Sequence, residues 1–377
     1  MNHFKNIDVK GNVSKLLSKR VSLETISLII GLCIIIFIIV FWTRKMKRNL
    51  WKTNNRNLDR LYPNIPPISS INTSNERFGY KLRDYYVKTA YNCCASGSFK
   101  HDWVSLKALK TCIQQGARCL DFQVFSVDDL PVIAVTDNND YNSKGSYNSI
   151  AFSKAMSVIS THAFSASSCP CHNDPLILHF RISSKNTSVM DKMAKDISTS
   201  LKMRLLGSEN SYENQGNNIG SKNLKDLKGK VIIVVDKSYA NPTKTQLDEY
   251  VNLTSNSVFM RSLRYHDVKF TPDMDELINF NKKYMTMCIP DIGQHPQNPS
   301  ASVAHKYGCQ YVAMSFQKMD DKMKYYNTLF NEEGSSFILK PEVLRYTPVE
   351  IKVPEPPPKE LSYKERKVET DFYSFKI

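Results

Sequence analysis

Of the chain's eight histidines, only His179 falls inside a strand-like apolar run, PLILHF at 175–180. Arg181 stands two residues further on, and the two-residue period of a strand puts imidazole and guanidinium on one face. An imidazole carries a proton near neutral pH and a guanidinium holds an oxyanion. This pair is the chain's candidate for acid–base work on an anionic substrate. The plainer alternative for His179 is a hydrogen-bonded core histidine. His101, His162, His172, His266, His295 and His305 sit in helical or loop stretches and read as surface or packing residues. Nine cysteines are present. The spacings Cys93-Cys94 and Cys169-Pro170-Cys171 fit neither a zinc ribbon nor a dense disulfide framework. Buried thiols are the leading reading; a Cys169, Cys171, His172 metal cluster and a disulfide between the two regions stay open.

Positioning such residues takes a framework. Short apolar runs at 118–125, 131–135, 175–180, 230–235, 284–289, 310–316 and 336–340 alternate with helix-like stretches at 104–115, 150–162, 190–205 and 320–331. Apolar strands without clean alternation, separated by helices, predict a parallel sheet covered on its outer face. The compact region, expected over 85–347, has the size of a (β/α)8 TIM-type barrel, with an open doubly wound sheet as runner-up. Residues 206–226 are polar and read as a mobile surface loop dividing the barrel into a 85–205 half and a 227–347 half. The Pro-rich, charged tail, 348–377, reads as extended along the surface.

Before the barrel comes ISLIIGLCIIIFIIVFW, Ile26 to Trp42, without a charge. At 1.5 Å per residue it rises about 25 Å, close to the hydrocarbon core of a bilayer. A single transmembrane helix is expected at 26–43, after a basic segment at 1–25 and before a basic, polar linker at 44–84. Trp42 and the following Arg44-Lys45-Met46-Lys47-Arg48 fit an uncleaved anchor. The denser basic cluster on the C-terminal side predicts a membrane protein with its large domain facing the cytosol. The excess of 51 Lys+Arg over 36 Asp+Glu favours anionic partners, anionic lipids above all. A Lys- and Asn-rich surface produced by compositional bias is the plain alternative. Nucleic acid is disfavoured, because no recognition motif or aromatic–basic interleaving is present. No protein partner is legible.

Gly308-Cys309-Gln310-Tyr311-Val312-Ala313-Met314-Ser315-Phe316-Gln317 resembles the Y-box strand of the phosphoinositide-specific phospholipases C, and Ser336 to Arg345 resembles its closing strand. Thr89-Ala90-Tyr91-Asn92, Gly116 to Asp121 and Asp174 to Leu178 are weaker X-box counterparts. The resemblance covers residues 88–346 and implies an X/Y barrel split at the polar loop. The short anchored layout is also similar to phospholipase-like proteins of large DNA viruses, an analogy of arrangement alone.

The family's chemistry, as the resemblance implies it, needs two histidines and a calcium ion held by an Asn and three carboxylates. By position the histidines fall on Tyr91 and Val135. A phenol near pKa 10 is a poor base at neutral pH, and Val has no proton to exchange. Of the metal ligands Asn92 matches, Asp121 stands for a Glu, Gln123 for an Asp, and Arg181 for the last Glu. That donor set does not attract a divalent cation, so the calcium site is expected to be lost and no cofactor is expected. Arg181 is expected to take the ion's place against Asp121, as arginine does in the family's metal-independent bacterial relatives. Headgroup contacts are eroded: the basic positions after the fifth strand fall on Val234 and Asp236, with Lys237 adjacent, and those of a later motif fall near Met287 and Ile289. Arg181 and Lys237 are the remaining substrate-binding candidates. The leading expectation is therefore a degenerate, non-catalytic member binding lipid headgroups or a protein. The alternative is an active, metal-independent phosphodiesterase using Arg181, Asp121 and His179.

Overall fold

The computed structural model describes residues 23–138, 143–211, 218–238, 240–348 and 364–376. The strands are β1 (Tyr85–Ala90), β2 (Cys119–Val127), β3 (Leu130–Ile133), β4 (Ile150–Ala151), β5 (Leu176–Ser183), β6 (Val231–Asp236), β7 (Leu253–Ser255), β8 (Met260–Arg264), β9 (Met285–Ile289), β10 (Tyr311–Met314) and β11 (Phe337–Leu339). A mostly parallel path runs β7-β6-β5-β2-β1-β10-β9-β8. Only residues 256–259 separate β7, paired with β6, from β8, paired with β9. A parallel crossover needs a dozen residues or more, so 253–264 is in effect one bent strand that closes the ring. Asn256 makes the bend at φ 59° and fixes it by accepting the Ser262 backbone N–H at 3.0 Å. This is the expected TIM-type barrel.

The ring departs from an ideal (β/α)8 pattern at β3, which runs antiparallel to β2. The cause is local. Asp128 and Asp129 both adopt positive φ, 51° and 56°, and a two-residue loop of that conformation makes a hairpin, not a crossover.

Helices cover the strands: α1 (Leu23–Leu61), α2 (Leu106–Gln114), α3 (Phe152–His162), α4 (Thr187–Leu201), α5 (Tyr265–Lys269), α6 (Met274–Lys283), α7 (Ala301–Lys306) and α8 (Asp321–Glu332). Their starts follow from capping residues. Ser105, Asn186, Asp273 and Asp320 each accept a first-turn backbone N–H, worth about 1 kcal/mol apiece. The C-terminal unit, considered alone, carries a small hairpin of β12 (Lys367–Glu369) and β13 (Ser374–Lys376), with Val368 opposite Phe375. The tail was expected to be extended; residues 349–363 lie outside the described ones, and cross-strand pairing holds the rest in this hairpin.

Three stretches differ from the sequence reading. Residues 44–61, expected as linker, continue α1 without a break. They dock on the barrel: Asn54 Nδ2 donates to Asp102 Oδ1 at 2.7 Å, Ser105 Oγ to Asn55 Oδ1 at 3.1 Å, and Tyr62 Oη to the Phe316 carbonyl at 2.9 Å. Compact structure begins before Tyr85, since Leu58, Ile68, Ile71, Phe78 and Leu82 are core residues. The polar loop is anchored at both ends by buried Asn210, Ile219 and Leu224 and by Leu82 N–H donating to the Lys222 carbonyl at 2.9 Å; residues 212–217 lie outside the described ones.

Among the described residues one helix, α1, is long and apolar enough to cross a membrane, and its apolar residues from Ile26 to Trp42 are largely exposed. It meets the barrel at the loops that follow β1 and β10, at the C-terminal ends of the strands. Residues 1–22, the expected basic segment, lie outside the described ones.

Candidate functional site

Strand register places the interior polar residues. β2 and β5 pair so that Asp121 lies beside His179 and Gln123 beside Arg181, and all four are buried. Asp121 Oδ1 accepts from His179 Nδ1 at 2.7 Å and from Arg181 Nε at 3.0 Å. Its Oδ2 accepts from a terminal Arg181 nitrogen at 2.8 Å and from the Asn92 backbone N–H at 3.0 Å. The same Arg181 nitrogen donates to Asn92 Oδ1 at 2.7 Å. The guanidinium thus bridges the carboxylate and the amide, and the Tyr91 ring lies over it at 4.7 Å.

Electrostatics follow from this packing. Burial alone would raise the Asp121 carboxyl, but the charge and hydrogen bonds of Arg181, with the bond from His179, hold it well below the usual carboxylate range. Burial likewise opposes the charge of Arg181, and Asp121 outweighs it, holding Arg181 above its ordinary value. The group is a closed ion pair.

His179 joins a chain of contacts that the sequence reading missed. Its Nε2 lies 2.9 Å from Ser255 Oγ, giving a line from carboxylate through imidazole to hydroxyl. Ser255 lies on a three-residue strand with no pattern of its own to mark it. All three members are fully buried, so the imidazole and carboxylate named as the alternative acid–base pair do meet in the barrel, shut away from solvent. Above them Tyr91, Phe99, Gln123, Arg181 and Arg264, with residues 136–138 and 291–293, Asp137 and Asp291 among them, line a cavity of about 10 Å³, room for about one water.

The remaining candidates lie apart. Val135 is buried beyond β3, where its carbonyl accepts the Gly145 and Ser146 N–H groups. Gln123 Oε1 accepts the Thr136 N–H at 3.3 Å. Lys237 is exposed after β6 and does not line the cavity. Arg264, also missed, donates to the Pro290 carbonyl at 2.8 Å and reaches Tyr91 Oη at 3.5 Å. Among the described residues no group of three His, Cys, Asp or Glu side chains could hold a metal. All nine cysteines are free and eight are buried. Cys93 contacts the Asp121 carbonyl, whereas Cys169 lies 3.6 Å from Cys171; the Cys171 hydrogen bond and then the Arg118 charge bring the Cys169 thiol down to about 6 against burial.

Residues 79–237 match the family model of the phosphatidylinositol-specific phospholipase C X domain, and residues 236–343 match that of its Y domain. Among solved structures, L. pealei PLC21 matches with a TM-score of 0.58 at 18% identity, covering 71% of this chain and 38% of its own. S. officinalis PLC21 matches with a TM-score of 0.59 at 18% identity, covering 76% and 40%. A calcium-dependent phosphoinositol-specific phospholipase C from Pseudomonas sp. matches at 0.45 and 10% identity, covering 72% and 98%, too loosely to carry an argument. Identities this low speak to the fold alone, and the chain spans about 40% of the second PLC21. No curated protein matches the chain. With the X and Y halves matched in order on one barrel, the chain belongs to the phosphatidylinositol-specific phospholipase C family.

Proposed function

We propose that this chain is a membrane-anchored member of the family whose barrel does not cleave phosphodiesters and serves as a binding scaffold at the membrane surface. One observation carries the reading: the Arg181 guanidinium bonds both Asp121 oxygens and Asn92, in an interior with room for about one water. Cleavage through a neighbouring hydroxyl needs a base, an acid and an open cationic seat for phosphate. Tyr91 and Val135 stand where the family resemblance asks for histidines, and of the two arginines lining the cavity Arg181 is paired with Asp121 and Arg264 donates to the Pro290 carbonyl. One carboxylate and two amides, bonded to a guanidinium, do not suit calcium, so no step is routed through a metal. The apolar half of α1 supports the anchor. The cations from Arg44 to Arg56, uninterrupted by a carboxylate, support a cytosolic barrel.

The Asp121, His179, Ser255 line favours a second reading, a metal-independent phosphodiesterase in which His179 is the base and Arg181 holds the phosphate. It requires the mouth to open and Arg181 to leave Asp121. Incubating the full chain in mixed micelles with phosphatidylinositol and its bisphosphate, with and without calcium, separates the two. Scaffold function predicts no inositol phosphate above the protein-free rate; turnover abolished by His179→Ala would establish the second reading instead.

A further inference from the structure

Where α1 leaves its apolar half, Arg44, Lys47, Arg48 and Trp51 face the barrel. Their spacing, i, i+3, i+4 and i+7, puts them on one side of the helix. With Trp103 and Asn148 from the barrel they line a cavity of about 410 Å³, within the usual size range of ligand pockets. The wall is fixed. Trp103 Nε1 donates to the Lys47 carbonyl at 2.9 Å, the Trp103 and Tyr147 rings meet edge to face at 5.8 Å, and Lys47 Nζ sits 4.1 Å above Tyr147.

Two observations point to the occupant. Charge is unmatched: among the described residues no carboxylate pairs with Arg44, Lys47 or Arg48, and along α1 no acidic residue lies between Glu24 and Asp59. Depth is the second. The apolar run ends at Trp42, so Arg44 to Arg48 stand roughly 3–9 Å further along the axis, the level of lipid phosphates when the run spans the hydrocarbon core. Tryptophans are favoured at that level.

We propose that this junction pocket binds the phosphate of an anionic glycerophospholipid, with the acyl chains along the apolar half of α1, and that the bound lipid sets the tilt of the barrel on the bilayer. The proposal rests on α1 being a membrane anchor and is independent of catalysis. A free phosphate would meet the same cations, but the cavity adjoins the lipid-facing helix, and the two tryptophans suit the glycerol and upper acyl region.

The test uses the full chain in nanodiscs on a Trp42→Phe background, leaving Trp51 and Trp103 of the chain's three tryptophans as reporters. Brominated phosphatidylserine is expected to quench them at a roughly tenfold lower mole fraction than brominated phosphatidylcholine. The triple variant Arg44→Gln, Lys47→Gln, Arg48→Gln should lose that preference. Lys45→Gln, Lys52→Gln, Arg56→Gln, equal in charge but outside the cavity, should keep it. Equal loss in both triples would reduce the effect to diffuse attraction and overturn the proposal, as would relief of quenching by millimolar inorganic phosphate. Failure to co-elute with neutral discs would sink the anchor reading and this inference with it; co-elution without a serine-lipid preference would sink this inference alone. The substituted side chains line an open cavity, and an unchanged unfolding midpoint in each variant shows that folding is intact.

Discussion

Inside the barrel mouth a carboxylate, a guanidinium and an imidazole satisfy one another and leave about 10 Å³. At the α1 junction three cations line about 410 Å³ and have no carboxylate partner among the described residues. The two regions use similar side chains under opposite constraints. A charge shut away from water must be matched by the protein itself, whereas a charge facing solvent or a membrane is free to receive an anionic guest. In this chain the barrel mouth is packed like a core, whereas the junction with α1 keeps an open cavity lined by cations.

The largest effect should come from unbalancing the interior. Asp121→Ala leaves Arg181 buried without its counter-charge and is expected to lower stability by roughly 3–5 kcal/mol, read by urea unfolding of the full chain in detergent. A loss below about 1 kcal/mol would mean that the pair is not the plug described. Lys88 probes the same rule from the other side. It is fully buried, its Nζ has no hydrogen-bond partner among the described residues, and the Phe330 ring lies 5.9 Å away. Burial brings it down to about 7 from 10.5, with Cys171 opposing. The folded chain therefore drops this proton near pH 7 while the unfolded chain holds it until about 10.4. The penalty is complete below pH 7 and is relieved as pH rises through that window. Lys88→Met should raise stability on the order of 3 kcal/mol at pH 6, and the gap to the parent should close toward pH 10.

Smaller effects sharpen the contrast. Ser255→Ala removes the partner of His179 Nε2 and should cost about 1–3 kcal/mol, seen as a lower thermal midpoint. An unchanged midpoint would indicate that the hydroxyl does not hold the imidazole. At the junction, replacing Arg44 or Arg48 by Gln should shift stability by no more than about 0.5 kcal/mol each, and replacing Lys47, whose charge sits over the Tyr147 ring, by no more than about 1 kcal/mol. A large loss there would erase the distinction between plug and pocket.

Much of the barrel was legible because apolar runs such as 175–180 and 230–235 are unmistakable strands buried on both faces. β1, β7 and β8 escaped notice for physical reasons. β1 carries Lys88 and Thr89 in its middle, β7 has three residues, and β8 reads MRSLR with partly exposed positions. The extension of α1 was masked by its Asn-rich composition; it is held by partners far along the chain, Asp102 and Ser105, which no local pattern reveals. At the site, periodicity put His179 and Arg181 on one face, and alignment supplied Tyr91 and Asn92. Neither could tell that Tyr91 covers the guanidinium or that Ser255 closes on His179, because those contacts depend on how β5, β7 and the loop after β1 converge.

The central claim, that no accessible group in the mouth transfers a proton, is tested most directly by turnover. The full chain in mixed micelles, given radiolabelled phosphatidylinositol 4,5-bisphosphate across pH 5 to 9 with calcium or a chelator, should release no inositol trisphosphate beyond the protein-free control. Release that vanishes in both Asp121→Ala and His179→Ala, with the fold of His179→Ala confirmed by circular dichroism, would contradict the account.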